Sequence, residues 1–327
     1  KWLLCKLIES GEIDGVIHVV RNKDNSQLFE YGISRTVDEV HGASQSAYYP
    51  VNFSNVLNEI LKEKDNKKYA FVGVPCFCKS IASLKKKYPN ISNKIKYTVG
   101  IICGHMKTKN FAKLLSFNAG IEPDSVTHIN FREKTESDAS ALDYNFYASN
   151  DKESVIKKSR DIGGSWSIPH LKYKSCDYCE DVFGYCADII MGDAWLPRYV
   201  KDSKGTNICI VRDSKIKILM ENYKHEVNLN TVPPKNIINS QQGSVDHRMK
   251  NIVYRLWLCE ESGSWYPEKR VKPKYIKDER TRSIQDSRIA IRQKSHEFFY
   301  DAYTNNDISL YYKQLDKYAK KLNSHYK

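Results

Sequence analysis

Tyr69-Ala-Phe-Val-Gly-Val-Pro-Cys76 is a run of apolar residues that stops at a proline and a cysteine. It reads as a buried strand entering a sharp turn, with helix-compatible sequence behind it over residues 79–87. The same order returns at Tyr97-Thr-Val-Gly-Ile-Ile-Cys103, which meets Gly104 and then a helical pattern from about residue 109 to 118. Strand, turn and helix, twice over, specify an α/β core with neighbouring strands. Cys76 and Cys103 then stand at the carboxyl ends of adjacent strands, the edge where such sheets bind ligands. Gly73, Pro75 and Gly104 shape the two turns and leave room beside the backbone.

Outward from this pair, residues 13–20 read as a buried strand after Gly11 as a helix stop, and residues 27–34 pair with it. Residues 52–62 carry Phe53, Val56, Leu57, Ile60 and Leu61 at helical spacing. From about Asp124 the pattern turns to strands, at 126–132, 144–148 and 155–158. An ordered loop is expected over 160–185, strands at 187–194 and 207–211, and a helix at 216–223. After Pro233-Pro234 the sequence is polar, basic and largely helical. The expected fold is mixed α/β: a central mixed sheet flanked by helices, a strand-rich second part and a helical C-terminal segment. The parts are expected at 1–123, 124–243 and 244–327, the last an accessory segment.

The 327 residues suffice for two domains, and 41% hydrophobic with 28% charged residues is globular composition. No run approaches the roughly 18 apolar residues of a membrane span. Lys1-Trp2-Leu3-Leu4-Cys5-Lys6-Leu7-Ile8 is too short and interrupted for a signal peptide and reads as one face of a helix. Without an initiator Met, the sequence is expected to be a fragment of a longer polypeptide. The net charge of +13 is spread along the chain and mixed with acids, without a nucleic-acid-binding signature. It suits an acidic redox partner rather than nucleic acid. Nine cysteines, an odd number without a secretory signal, argue against disulfides and for a cytoplasmic protein whose thiols are ligands, reactive groups or core filler.

Cys176-Asp-Tyr-Cys179 adds a pair whose two-residue gap lets both sulfurs face one metal or one cluster. With Cys76 and Cys103 it completes four soft thiolate donors, the number a 4Fe–4S cube requires. Cys78 and Cys186 are reserves. A tetrahedral zinc on Cys176, Cys179, Cys186 and His170 is the rival, and spacing alone leaves both open. A thioredoxin-type dithiol would need a strand leading into a helix at Cys176. Cys5, Cys209 and Cys259 lie on apolar patterns. Lys172 and Lys174 either offset thiolate charge or edge a solvated loop.

Phe71-Val-Gly-Val-Pro-Cys76 resembles the "VGTPCQ" signature of the coenzyme F420 hydrogenase/dehydrogenase beta-subunit family, with Val74 in place of Thr and Phe77 in place of Gln. Val99-Gly-Ile-Ile-Cys-Gly104 is similar to that family's "GLFCGG" strand end, and Ile129-Asn-Phe-Arg132 to its "I-x-FR". Cys176-Asp-Tyr-Cys-Glu-Asp181 with Ala187-Asp-Ile-Ile-Met-Gly-Asp-Ala-Trp195 resembles "CxxCxD…ADISxGDAW". The resemblance covers most of residues 1–200. It implies a flavin and iron–sulfur oxidoreductase that exchanges electrons with a ferredoxin-like carrier, a deazaflavin or an organic small-molecule substrate. It further implies a 4Fe–4S cluster on Cys76, Cys103, Cys176 and Cys179, and FAD near Gly192, Asp193, Ala194 and Trp195. Gln45-Ser-Ala-Tyr-Tyr49 aligns with a "GSKYV" stretch expected at the flavin, which adds Ser46 and Tyr48. There Ala47 replaces a Lys and Gln45 a Gly. Family members usually open with a Gly-rich segment, often with a ferredoxin-like module, and this sequence starts within the following helix. An electron-transfer subunit that keeps the cluster without flavin is therefore the alternative, and a zinc-stabilised binding protein a third.

Overall fold

A computed structural model describes residues 1–24, 26–134 and 139–326. Helix α1 (Trp2–Glu9) buries Leu3, Leu4, Cys5 and Leu7. Gly11, at φ +68°, then turns the chain into β1 (Gly15–Arg21), with β2 (Phe29–Ser34) antiparallel beside it. After α2 (Val37–Gly42) and α3 (Ser54–Lys62) comes β3 (Tyr69–Gly73), parallel to β1. Helices α4 (Pro75–Lys87) and α5 (Pro89–Lys94) lead to β4 (Ile95–Ile101), parallel to β3, and then to α6 (Lys109–Ala119). The strands β5 (His128–Glu133), β6 (Asn145–Ser149) and β7 (Ser154–Lys158) form a separate antiparallel sheet.

The chain returns to the main sheet with β8 (Ile189–Asp193), parallel to β4, and after α7 (Pro197–Val200) with β9 (Asn207–Val211), antiparallel to β8. The mixed six-stranded order is β2-β1-β3-β4-β8-β9. Asp188 stitches β4 to the start of β8: its carboxylate accepts the backbone N–H and the hydroxyl of Thr98, each at 2.7 Å. Helices α8 (Ser214–Asn222), α9 (Pro234–Ser240) and α10 (Gln242–Ser244) follow, then a π-helical turn over Val245–Lys250. The chain closes with α11 (Ile252–Glu261), α12 (Glu279–Thr304) and α13 (Ile308–Ser324). The last two are not peripheral: Ile291, Phe299, Tyr311 and Leu315 share a core with Phe111, Phe131 and Phe146. None of the helices among the described residues is long and apolar enough to cross a membrane.

The fold class agrees with the expectation, and two local readings differ. Helix α4 begins at Pro75 rather than near residue 79, because proline's fixed φ and missing N–H suit the first helical position. Cys76 thus lies in a first helical turn and not on the strand. Residues 264–278 carry no helix, where a largely helical tail was expected. Gly263 at φ +65° ends α11, and Pro267 and Pro273 withhold backbone donors from any continuation.

On one face of β3, Phe71 is fully buried, stacked on Tyr31 at 5.3 Å and edge-on to Phe53 at 5.3 Å. Phe71→Ala is expected to cost roughly 3–5 kcal/mol of stability in chemical denaturation, through lost transfer energy and the cavity left behind. On β1, His18 is buried and bonded to the Ser34 hydroxyl at 2.8 Å, and burial pushes its pKa down to about 4. The unfolded chain takes up this proton near pH 6.5 and the folded one only near 4, so the stability is complete above 6.5 and is lost as pH falls through that window. By pH 5 the loss is about 2 kcal/mol, and His18→Gln should abolish that share of the acid sensitivity in denaturation curves taken at pH 7 and 5.

Candidate functional site

At the carboxyl edge of β3, the chain leaves Gly73 and winds directly into α4. The amides of Phe77 and Cys78 bond the Val74 carbonyl at 2.9 and 3.0 Å and tighten the turn. A side chain at Gly73 would meet the Phe71 ring at 2.7 Å and the Tyr31 hydroxyl at 3.2 Å, which explains the glycine. Cys103 lies two residues past β4, after Ile102, whose amide bonds the Met191 carbonyl at 2.7 Å. The segment that follows is laid against the Cys-pair loop. Lys107 and Lys172 form an antiparallel bridge, Thr108 N–H bonds Leu171 O at 2.8 Å, and Tyr173 N–H bonds Met106 O at 3.2 Å. Cys176 and Cys179 sit in and just after a 3₁₀ turn, Lys174–Tyr178, and Met106 N–H donates to Cys176 Sγ at 3.3 Å.

These elements bring Cys76, Cys103, Cys176 and Cys179 into one electrostatic neighbourhood. Burial pushes the Cys103 thiol up to about 12; Arg248 opposes this, and Cys176, Cys76 and Cys179 add to it. Cys76 is exposed, and partial desolvation by its surroundings raises it to about 11, reinforced by Cys179 and Cys176. Burial also raises Cys176, and metal coordination is what would hold such thiols as thiolates. Among the described residues, no group of three or more His, Cys, Asp or Glu is arranged to hold a metal ion.

The reserves lie elsewhere. Cys78 is fully buried, with its thiol on the Gly73 carbonyl at 3.4 Å, and Cys186 is exposed and precedes β8 rather than beginning it. His170 bonds the Tyr311 hydroxyl through Nδ1 at 2.8 Å and packs edge-on to Phe111, while its buried Nε2 has no partner among the described residues. Among the described residues, Cys176, Cys179, Cys186 and His170 are not arranged to hold a single metal ion.

Sequence reading missed a group that arrives from the C-terminal segment. Arg248, on the π-helical turn, donates to the Cys103 carbonyl, to Cys179 Sγ, and to the Asp181 carbonyl at 3.1 Å. Arg255 donates to the Asp177 carbonyl at 2.8 Å, and Arg292 to the Asp177 carboxylate at 2.8 Å. Lys172 pairs with that same carboxylate, whereas Lys174 is exposed. Burial works to raise the Asp177 carboxyl, and the cations Lys172, Arg292 and Arg255 overcome it and hold it below the usual range. Nothing local in His247-Arg-Met-Lys250 distinguishes it from a solvated basic face.

The second motif forms a separate corner. Asp193 ends β8 and pairs with Arg132 of β5 at 2.9 Å. That guanidinium lies 4.9 Å from the Tyr144 ring centre and 5.8 Å from Trp195. Tyr48 is half-buried, 4.1 Å from Trp166 and 5.5 Å from Phe131; burial pushes its phenol up to about 12, with Arg132 opposing. Ser46 is half-buried and Ala194 buried. Gly192 answers to packing: a Cβ there would meet Ile102 Cβ at 2.7 Å. The cavity lined by Arg132, Asp193, Trp195 and Tyr199 measures about 70 Å³, well below the roughly 300 Å³ at which small-molecule sites begin. The side chains offer flat faces and an acceptor, but an isoalloxazine does not fit inside.

The family model for the C-terminal part of the coenzyme F420 hydrogenase/dehydrogenase beta subunit matches residues 66–237, and that for its N-terminal part matches residues 1–58. The chain belongs to this family. Membership gives it an oxidoreductase-associated, electron-transfer role at the level of the family. No curated protein matches the chain. Among solved structures, a chain from the xenon-derivatized F420-reducing NiFe hydrogenase complex of Methanosarcina barkeri superposes with a TM-score of 0.54. It is 17% identical, and the match covers 78% of this chain and 84% of that one. At that identity the likeness concerns the fold.

The Asp177 carboxylate lies between Lys172 and Arg292 and is the counter-charge they share. Asp177→Asn should therefore destabilise the protein by roughly 3–5 kcal/mol, since it leaves buried cations uncompensated; urea denaturation of both proteins measures it.

Proposed function

We propose that this chain is an iron–sulfur electron-transfer subunit of the hydrogenase/dehydrogenase beta-subunit type, with a 4Fe–4S cluster held by Cys76, Cys103, Cys176 and Cys179. The observation that carries the reading is the convergence of these four thiols from three separate segments, with mutual electrostatic influence and Arg248 against them. A bound cluster would supply one-electron exchange at the sheet edge. The protein's own part is to hold the donors from two rigid sheet-edge turns and a pinned loop. It also aims the Met106 amide at Cys176 and crowds the site with buried cations. The positive net charge favours encounter with an acidic one-electron carrier, such as a ferredoxin-like protein.

A flavin-bearing enzyme acting on an organic substrate is the second reading. The corner of Arg132, Tyr144, Asp193 and Trp195 favours it, with Ser46 and Tyr48 as the remaining contacts; its cavity speaks against enclosure. Anaerobic purification followed by iron, sulfide, zinc and flavin analysis separates the readings. About four irons per chain without flavin is the expected result, stoichiometric FAD would establish the second reading, and zinc alone would overturn both. Cys179→Ser should lose the visible absorption and most of the iron while the far-ultraviolet dichroism is unchanged; a fully retained cluster would exclude this ligand.

A further inference from the structure

Arg248 is only 3% exposed, yet no carboxylate among the described residues takes up its charge. Its hydrogen bonds run to two backbone carbonyls and the Cys179 thiol, and among the described residues its Nε finds no partner. Arg255, equally buried, likewise has Nη2 without a partner there. Lys172 and Arg292 are buried too, and both lean on Asp177. The other buried acid nearby, Asp181, accepts the Tyr185 amide at 3.2 Å and offers Arg248 only its carbonyl. A buried guanidinium held by two carbonyls and one sulfur, without a carboxylate, is matched to an anionic occupant. A cube on four thiolates is such an anion, and it gains one further negative charge when it accepts an electron from a one-electron donor.

We propose that the C-terminal segment acts as a cationic cap on the cluster, and that Arg248 is the positioning residue that biases the cluster toward its reduced state. The inference rests on the iron–sulfur reading above. Cluster potentials respond to hydrogen bonds at the ligand sulfurs and to net local charge, and Arg248 brings both to Cys179. The π-helical turn is what permits it: a local widening of the helix re-aims one side chain, a device found at functional sites. Residue 248 also lies outside both matched family segments, which end at residues 58 and 237.

The test is a mediated redox titration of the full chain, followed by electron paramagnetic resonance, on the wild type, R248Q and R248K, with iron content and dichroism measured on each sample. Arg248→Gln should keep its iron and disfavour reduction about tenfold or more, a downward shift of roughly 59 mV for one electron. Arg248→Lys, which keeps the charge, should shift less. Loss of iron from R248Q but not from R248K, with the fold intact, would support the same role. An unmoved potential in iron-replete R248Q, or equal loss of iron from both folded variants, would overturn it. If R248Q does not fold, Arg255→Gln, which removes a cation without touching a ligand sulfur, should give a smaller downward shift, and no shift would overturn the proposal. A wild type without iron would instead overturn the iron–sulfur reading itself.

Discussion

Asp177, the residue between the two halves of the cysteine pair, holds together parts of the chain that are far apart in sequence. Its carboxylate takes Lys172 from the incoming loop and Arg292 from α12, and its carbonyl takes Arg255 from α11. Each partner is buried, and a buried ion is tolerable only when its counterion and hydrogen bonds are in place. The 3₁₀ turn carrying Cys176 and Cys179 is thereby fixed against the helical segment, although it has little regular structure of its own. The bridge between Lys107 and Lys172 then sets the same loop beside the chain leaving β4. The charge arrangement ties the Cys pair to the helical segment, and these backbone bonds tie it to the Cys103 strand exit.

The two motif-bearing parts of the sequence have unequal structural standing. The thiol rim is a convergence of four side chains from rigid places: a helix start, a strand exit and a pinned loop. The Gly-Asp-Ala-Trp segment forms a tight corner in which Gly192 serves the packing of Ile102 and Asp193 is engaged by Arg132 and, through its carbonyl, by Gln241 at 2.7 Å. A small cavity and satisfied polar groups leave little there for a large planar ligand to claim. The same residues, opened, would supply the stacking faces and the acceptor that such a ligand uses. The difference between the sites is one of packing rather than of residue type.

The alternation of apolar strands and helix starts was enough to recognise the α/β core, because burial on both faces of parallel strands leaves continuous apolar runs such as 69–73. The strands that became β1, β2 and β5 to β7 were legible from local periodicity, and the antiparallel topology of the last three came from the structure. Residues 264–278 misled because basic, polar sequence fits a solvated helix and an irregular strap alike, and the two prolines settled the matter. The true start of α4, at Pro75, was missed because a proline after an apolar run reads equally as a turn and as a helix opening.

By itself, the sequence determined the local conformations and the stock of soft donors: Cys76, Cys103, Cys176 and Cys179 were all legible as residues with ligand chemistry. Which cysteines meet, and which do not, was decided by the tertiary structure. Cys78 turns into the core, and His170 is buried with Nδ1 on Tyr311. Arg248 and Arg255 could not be read in advance at all. Their role depends on being buried opposite groups that are distant in the chain, and a Lys- and Arg-rich stretch carries no local mark of whether its charges will face water or a counter-charge. Burial is a property of the assembled fold, and it is burial that turns an ordinary surface cation into a determinant of the site.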